Sequence, residues 1–401
     1  MSRAKMSKER EQSLRQLAKL MNTRHRLPFP ITKPLLECFD AAITPEEVAF
    51  LLRMGTEQHT YDQVASLSDL PEEEFRTFFE TQIRKGLIWS APGSDGKDRF
   101  YVPGIMVGWF EMFLSDGQET SEKQEFSKRL DRLFKSWGKM NFFPLRSLMN
   151  LRYKRYSKPH QSIAPVTSSE AAGQPRKLKV DRKVKVPEAE IHQTSRVYDL
   201  IEKHGDENAI AVIHCFCRQW RKMVEEPCRL DFPSEACMVI GEGSKHVVKS
   251  GIGRYVSKEE ALKLIQQLQE KGAVHQIFHE QEDVSHPEIA ICNCCWDCCG
   301  LLGSYNRGIL PLHLKSYYEA QISDESLCQG CGTCEEHCPV QAIVVQDDRS
   351  HVNAAKCIGC GQCELQCPEG VIRMVPKERV VMLPLQKRSE ARIAWQVYKR
   401  H

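Results

Sequence analysis

Residues 328–339 read C-Q-G-C-G-T-C-E-E-H-C-P, and residues 357–368 read C-I-G-C-G-Q-C-E-L-Q-C-P. Each fits C-x2-C-x2-C-x3-C-P, and the second follows the first by 29 residues, counted from Cys328 to Cys357. A cubane cluster needs four thiolates converging from one small loop region. Two-residue spacers let a tight loop wrap the cluster, and the longer last spacer carries the fourth cysteine onto a helical turn. Gly330, Gly332, Gly359 and Gly361 lie between the ligands, where the backbone has to turn sharply and bring N–H groups near inorganic sulfide. Paired zinc sites would show C-x2-C doublets instead of triplets with a trailing cysteine and proline. The apolar segments 340–345 and 370–375 are suited to keeping water away from such clusters.

This pattern resembles the bacterial-type two-cluster ferredoxins over about residues 322–376, with all eight expected cysteines present. The resemblance implies a ferredoxin-like domain built as a pseudo-twofold pair of βαβ units, two nearby [4Fe–4S] clusters as cofactors, and one-electron transfer at low potential. In that family the fourth cysteine of each motif ligates the other cluster. The resemblance therefore implies Cys328, Cys331, Cys334 and Cys367 for one cluster, and Cys357, Cys360, Cys363 and Cys338 for the second.

Nine further cysteines fall into two upstream sets, and only Cys38 stands apart. Cys215, Cys217, Cys228 and Cys237 form a set of four; Cys292, Cys294, Cys295, Cys298 and Cys299 form a set of five. The stretches I-C-N-C-C-W-D-C-C-G-L-L (291–302), H-C-F-C-R (214–218) and G-R-Y-V-S-K-E-E-A-L (253–262) resemble a group of anaerobe iron–sulfur proteins. In that group a cysteine-rich region precedes a C-terminal dicluster ferredoxin, and the similarity spans about residues 190–376. It implies redox chemistry without naming a substrate. Four thiolates from either set suit one or two more [4Fe–4S] clusters or a zinc ion, and neither spacing matches a standard template of either kind. Packing or redox-active thiols are a third reading. The adjacent pairs Cys294-Cys295 and Cys298-Cys299 allow sulfurs to point at two different centres, and ligands from both sets can combine. His214, His275 and His279 are read as ordinary core or surface residues.

Toward the N-terminus, Pro45–Met54 opens on Thr44 with acids in its first turn and carries an apolar stripe of Val48, Phe50, Leu51 and Leu52. Helices over 61–67 and 71–85, the latter opened by Pro71, lead to strands at 87–89 and 99–102 joined by a Pro-Gly-Ser-Asp-Gly turn. The order resembles a winged helix-turn-helix at about 40–102. Such a fold reads DNA with the N-terminal end of its third helix, but Glu72, Glu73 and Glu74 stand there and repel phosphates. Nucleic acid is therefore not an expected partner. Phe126, Leu130, Leu133, Phe134 and Trp137, at helical spacing, read as core.

The expected architecture is α+β and multidomain. It has a helical region 1–155 containing the winged-helix-like domain, a basic linker 156–189, a cysteine-rich α+β middle domain 190–321, the ferredoxin domain 322–376 and a basic tail 377–401. A chain of 401 residues with 41% hydrophobic and 27% charged residues supports several cores. Eighteen cysteines in metal-ligand spacings, behind an opening MSRAKMSKER with no apolar signal core, read as ligands in a cytoplasmic protein, not as disulfides. No apolar run of about 18 residues is long enough to span a bilayer.

The formal net charge is only +3, yet residues 152–185 hold ten Lys or Arg against two acids, and residues 323–375 hold eight acids against three bases. An acidic cluster domain favours a basic docking partner. No Rossmann glycine fingerprint, P-loop or nucleophile elbow is present. The expected role is an electron-transfer subunit that passes single electrons between redox protein partners, more than an independent enzyme. An oxidoreductase with its own substrate-binding cluster, and a redox-sensing winged-helix regulator, are the alternatives.

Overall fold

The computed structural model describes residues 6–25, 28–140, 161–164, 197–205, 208–279, 288–310, 313, 315–316 and 318–377. The basic linker, apart from residues 161–164, and the tail beyond 377 lie outside the described residues. The chain divides into two compact units. The first comprises Met1–Ser136, Ala211–Pro227 and Gly241–Tyr255; the second comprises Trp137–Ile210, Cys228–Ile240 and Val256–His401. Among the described residues no helix is long and apolar enough to cross a membrane.

In the first unit, Ser7, Thr44 and Thr60 open the helices Lys8–Asn22, Pro45–Met54 and Tyr61–Ala65, each side-chain oxygen accepting an N–H of the first turn. At Thr44 and Thr60 the cap is reciprocal through Glu47 and Gln63. The helix Glu72–Arg84 and the antiparallel strands Trp89–Pro92 and Asp98–Tyr101 follow in the expected order. The hairpin starts two residues later than the sequence indicated. The N–H groups of Leu87 and Ile88 bond back to the Gln82 carbonyl, at 2.9 and 3.4 Å, so they are not available to a ladder.

The core of this unit is aromatic. Phe39 meets Trp109 edge to face with centroids 5.0 Å apart, and Phe126 meets Phe110 at 5.2 Å and Phe113 at 5.0 Å. Segments from later in the chain complete it. The helix Phe216–Met223 brings the Trp220 indole N–H to the Ser127 carbonyl at 3.1 Å. The helix Glu242–Lys249 brings His246 to the hairpin, where the Ser90 N–H donates to Nδ1 at 3.2 Å.

In the second unit, Val274–His279 and Glu288–Cys294 form an antiparallel ladder, with Val274 opposite Cys294 and Gln276 opposite Cys292. Gln161–Ala164, inside the segment read as linker, is a strand paired to Val274–His279. On the other side Glu235–Ile240 pairs with Glu288–Cys294, Met238 opposite Ile291. The helix Lys258–Glu270, capped by Ser257, buries Ala261, Ile265 and Leu268.

The last part of the unit runs strand, cysteine loop, short helix, strand, and then repeats that order. Tyr318–Ile322 pairs antiparallel with Ile372–Pro376, first strand with last, and Ile343–Gln346 pairs with Arg349–Val352 between them. The helices Thr333–Glu336 and Gln362–Gln366 follow the two cysteine triplets. Tyr318, Ala320, Ile343, Val371, Ile372 and Met374 bury their side chains against the cysteines.

Burial holds His246 neutral, helped by the Lys249 charge and opposed by Asp98, and brings its pKa down from 6.5 to about 4. The unfolded chain binds the imidazole proton more readily, so stability is complete above pH 6.5 and falls as pH drops toward 4. The loss is up to about 3 kcal/mol at 1.36 kcal/mol per pKa unit. In His246→Asn, which keeps an acceptor for Ser90 but cannot titrate, urea midpoints measured between pH 7 and 4.5 should decline less steeply than in the unmodified chain. Equal slopes would show that His246 does not carry this acid sensitivity.

Candidate metal centre

Both cysteine triplets are bent by the same backbone device. Gly330 and Gly332 have φ of +61° and +83°, and Gly359 and Gly361 have φ of +72° and +84°, all in the left-handed region that favours glycine. At Gly330 the requirement is also steric, because a Cβ there would lie 2.7 Å from the Asp348 backbone. These turns aim N–H groups at sulfur. The Gly330 N–H, then the Ser350 hydroxyl, hold the Cys328 thiol below its ordinary range, and the Thr333 hydroxyl and N–H do so for Cys331. Cys338 accepts the Ala342 N–H at 3.1 Å.

The surroundings of each thiol show which cysteines stand together. Burial raises Cys334, and its thiol neighbours are Cys331, Cys367 and Cys328. Burial raises Cys360, whose thiol neighbours are Cys338 and Cys357. Cys363, also raised by burial, lies near Cys360, Cys338 and Cys357, with Cys334 beyond. The fourth cysteine of each motif thus sits beside the triplet of the other. Four converging thiols, supplied with N–H donors by left-handed turns and backed by apolar side chains, are a fit donor set for a [4Fe–4S] cluster.

The two quartets differ in exposure. Cys331 is exposed, and in the same loop region Leu327 is 56% exposed and Asp324, Glu325, Glu335 and Glu336 are exposed too. Cys357, Cys360 and Cys363 are buried. Ile358 and Cys360 pack in one apolar cluster with Val274, Cys299, Leu302 and Tyr305, and Cys294 borders it. The buried Gln362 amide donates to the Ala273 carbonyl at 2.6 Å, and Asn306 donates to the Pro339 carbonyl at 2.8 Å. The inner quartet is therefore fastened to the layer that carries the upstream cysteines.

Of those upstream cysteines, Cys215 and Cys217 belong to the first unit, at the start of the helix Phe216–Met223. The other seven belong to the second unit. The sulfurs of Cys228, Cys295 and Cys298 lie within 4.8 Å of one another, with Cys228 to Cys295 at 3.5 Å and Cys295 to Cys298 at 2.9 Å. Cys299 accepts the N–H groups of Leu301 and Leu302, both at 3.3 Å. Hydrogen bonds to Cys292 and Cys299, with burial, push the Cys294 thiol well up. Cys38 is fully buried in the helix Lys33–Asp40 of the first unit, its thiol raised by desolvation, which suits packing.

Gln276 is a member of this region that sequence reasoning missed. It is 0% exposed, and among the described residues neither its amide oxygen nor its amide nitrogen has a partner. Its strand, Val274–His279, is buried on both faces for five residues, so alternation in the sequence carries no sign of it. Only the pairing with Cys292 brings it out.

Gly330→Ala is expected to cost about 1–2 kcal/mol for the left-handed backbone and about 1–3 kcal/mol more for the collision with Asp348. Gly332→Ala, at a position with nothing within 4 Å, should incur only the first cost. Thermal melts and retained iron of the anaerobically purified variants should rank Gly330→Ala well below Gly332→Ala, and the reverse order would contradict this account of the loop.

Residues 320–368 match the family model described as a 4Fe-4S dicluster domain, and all eight cysteines of the two motifs fall within the match. No curated protein and no solved structure matches the chain.

Proposed function

We propose that this chain is an electron-transfer subunit of an oxidoreductase system, taking single electrons from one protein partner and passing them to another. The observation that carries this reading is the unequal exposure of the two thiol quartets. Bound [4Fe–4S] clusters would supply one-electron redox chemistry at both. Cys328, Cys331, Cys334 and Cys367 would hold one at the surface, and Cys338, Cys357, Cys360 and Cys363 would hold the other beneath the middle layer. Tyr318, Ile343, Ile372 and Met374 exclude water around them. Leu327 and its acidic surround offer a basic partner an apolar contact inside a charged rim.

The regulator reading is weaker on charge. Glu72, Glu73 and Glu74 occupy the first turn of the helix Glu72–Arg84 and are exposed, and two of them are paired to Arg76. A phosphate backbone meeting that end of the helix would be repelled.

Reduced, anaerobic protein should pass electrons to cytochrome c, a basic one-electron acceptor, faster as ionic strength is lowered, because the surface quartet lies in an acidic rim. Fully iron-loaded protein that shows no reducible EPR signal, or transfers nothing, would refute the reading. The ligand sets have their own test. Cys367→Ser should disturb the same EPR signal as Cys331→Ser, and Cys338→Ser the same signal as Cys360→Ser. Pairing in sequence order, Cys338 with Cys331, would rule out the exchange of fourth ligands.

A further inference from the structure

The set Cys292, Cys294, Cys295, Cys298 and Cys299 is dense enough to be read as one site, but the strand and turn that carry it send neighbouring sulfurs apart. Cys292 and Cys294 are two residues apart on one strand and so share a face of the sheet. The pairing of Met238 with Ile291, extended by one residue, sets Cys237 opposite Cys292 on that same face. It agrees with the Asn293 amide donating to the Ala236 carbonyl at 2.5 Å. Gln276 lies opposite Cys292 on the other flank, its buried amide without a partner among the described residues. Cys299 joins this face through its hydrogen bond with Cys294. Cys295, after the strand ends, turns instead to Cys298 and Cys228.

Only one of the two groups converges on a point: no three sulfurs of Cys237, Cys292, Cys294 and Cys299 lie within 4.8 Å of one another among the described residues, although Cys294 is hydrogen-bonded to Cys292 and to Cys299 in turn. A tetrahedral ion with metal–sulfur bonds near 2.3 Å holds its sulfurs about 3.8 Å apart. In a cubane each thiolate holds a different iron, and the sulfurs stand apart by more than the width of the cube. Cys228, Cys295 and Cys298 converge within 4.8 Å, and among the described residues no other three His, Cys, Asp or Glu do so, the eight ferredoxin cysteines included. The convergence is held by more than the thiols. The Arg229 N–H donates to the Asp297 carboxylate at 2.9 Å, linking the residue after Cys228 to the residue before Cys298. The Cys298 N–H donates to the Cys295 sulfur at 3.1 Å.

We propose that these seven cysteines serve two centres of different chemistry. Cys228, Cys295 and Cys298 bind one tetrahedral divalent cation of the zinc class, with a fourth donor completing the shell. Cys237, Cys292, Cys294 and Cys299 bind a third iron–sulfur cluster, toward which the Gln276 amide is turned. The cation joins segments 67 residues apart in sequence and acts as a structural tie. The third cluster borders the apolar packing around Cys360, and its role as a relay to the inner quartet rests on the electron-transfer reading above.

Adjacent residues should give opposite results. Iron and zinc would be measured per chain on full-length protein purified without oxygen, unmodified and as Cys294→Ser and Cys295→Ser. The unmodified chain should carry about twelve irons and about one zinc. Cys295→Ser should lose the zinc and keep its iron; Cys294→Ser should lose about a third of its iron and keep the zinc. Loss of the same metal from both variants, or no loss from either, overturns the division. Should a variant fail to fold, zinc-edge X-ray absorption of the unmodified chain decides. A shell of three or four sulfurs near 2.3 Å supports the site, whereas a nitrogen and oxygen shell, or full iron with no zinc, removes it. Failure of the electron-transfer reading would look different, with the ferredoxin EPR signals absent while the zinc result stood.

Discussion

A thiolate taken out of water is tolerated only where something else accepts its charge. Burial drives the thiols of Cys334, Cys338, Cys360 and Cys363 upward, and the fold answers with backbone N–H groups and, by the reading above, with metal. The second unit is organised around that requirement. The helices Thr333–Glu336 and Gln362–Gln366, four and five residues long, are too short to be stable alone. They persist because they follow loops whose left-handed glycines aim amides at sulfur. The apolar side chains packed against the cysteines keep the local dielectric low, which strengthens each N–H to sulfur contact.

The same chemistry gives the unit a direction. One quartet meets solvent through Cys331 among carboxylates, and the other turns inward to Ile358, Tyr305 and Cys299. Gln362 and Asn306 lock the inner side to the middle layer with side-chain to backbone hydrogen bonds, so the separation between the groups of sulfurs does not depend on a hinge. On the electron-transfer reading, an arrangement of this kind favours a carrier with distinct entrance and exit over a freely diffusing one that meets all partners through a single face.

What the sequence revealed followed the range of the interactions. The two cysteine loops of the dicluster domain were legible because spacing within a dozen residues fixes them, and the Thr44 cap was legible for the same reason. The sorting of Cys294 from Cys295 was not, because it depends on where a strand ends and which strand lies beside it. Gln161–Ala164 carries little strand signal of its own and is held by the edge it meets. The hairpin boundary moved because the Gln82 carbonyl captures two N–H groups that periodicity alone assigned to a ladder. That residues 211–227 and 241–255 belong with the N-terminal unit was equally hidden. The contact between Trp220 and Ser127 spans 93 residues, and no local pattern records it.

The ferredoxin part of the fold closes with its first strand, Tyr318–Ile322, against its last, Ile372–Pro376. During synthesis the early strand and Cys328, Cys331 and Cys334 are made before the closing strand and before Cys367, which stands beside them in the finished domain. The pairing of Tyr318–Ile322 is complete only once residue 376 has been made. A product ending before residue 367 would lack both the strand that closes on Tyr318–Ile322 and the thiol that stands beside Cys334.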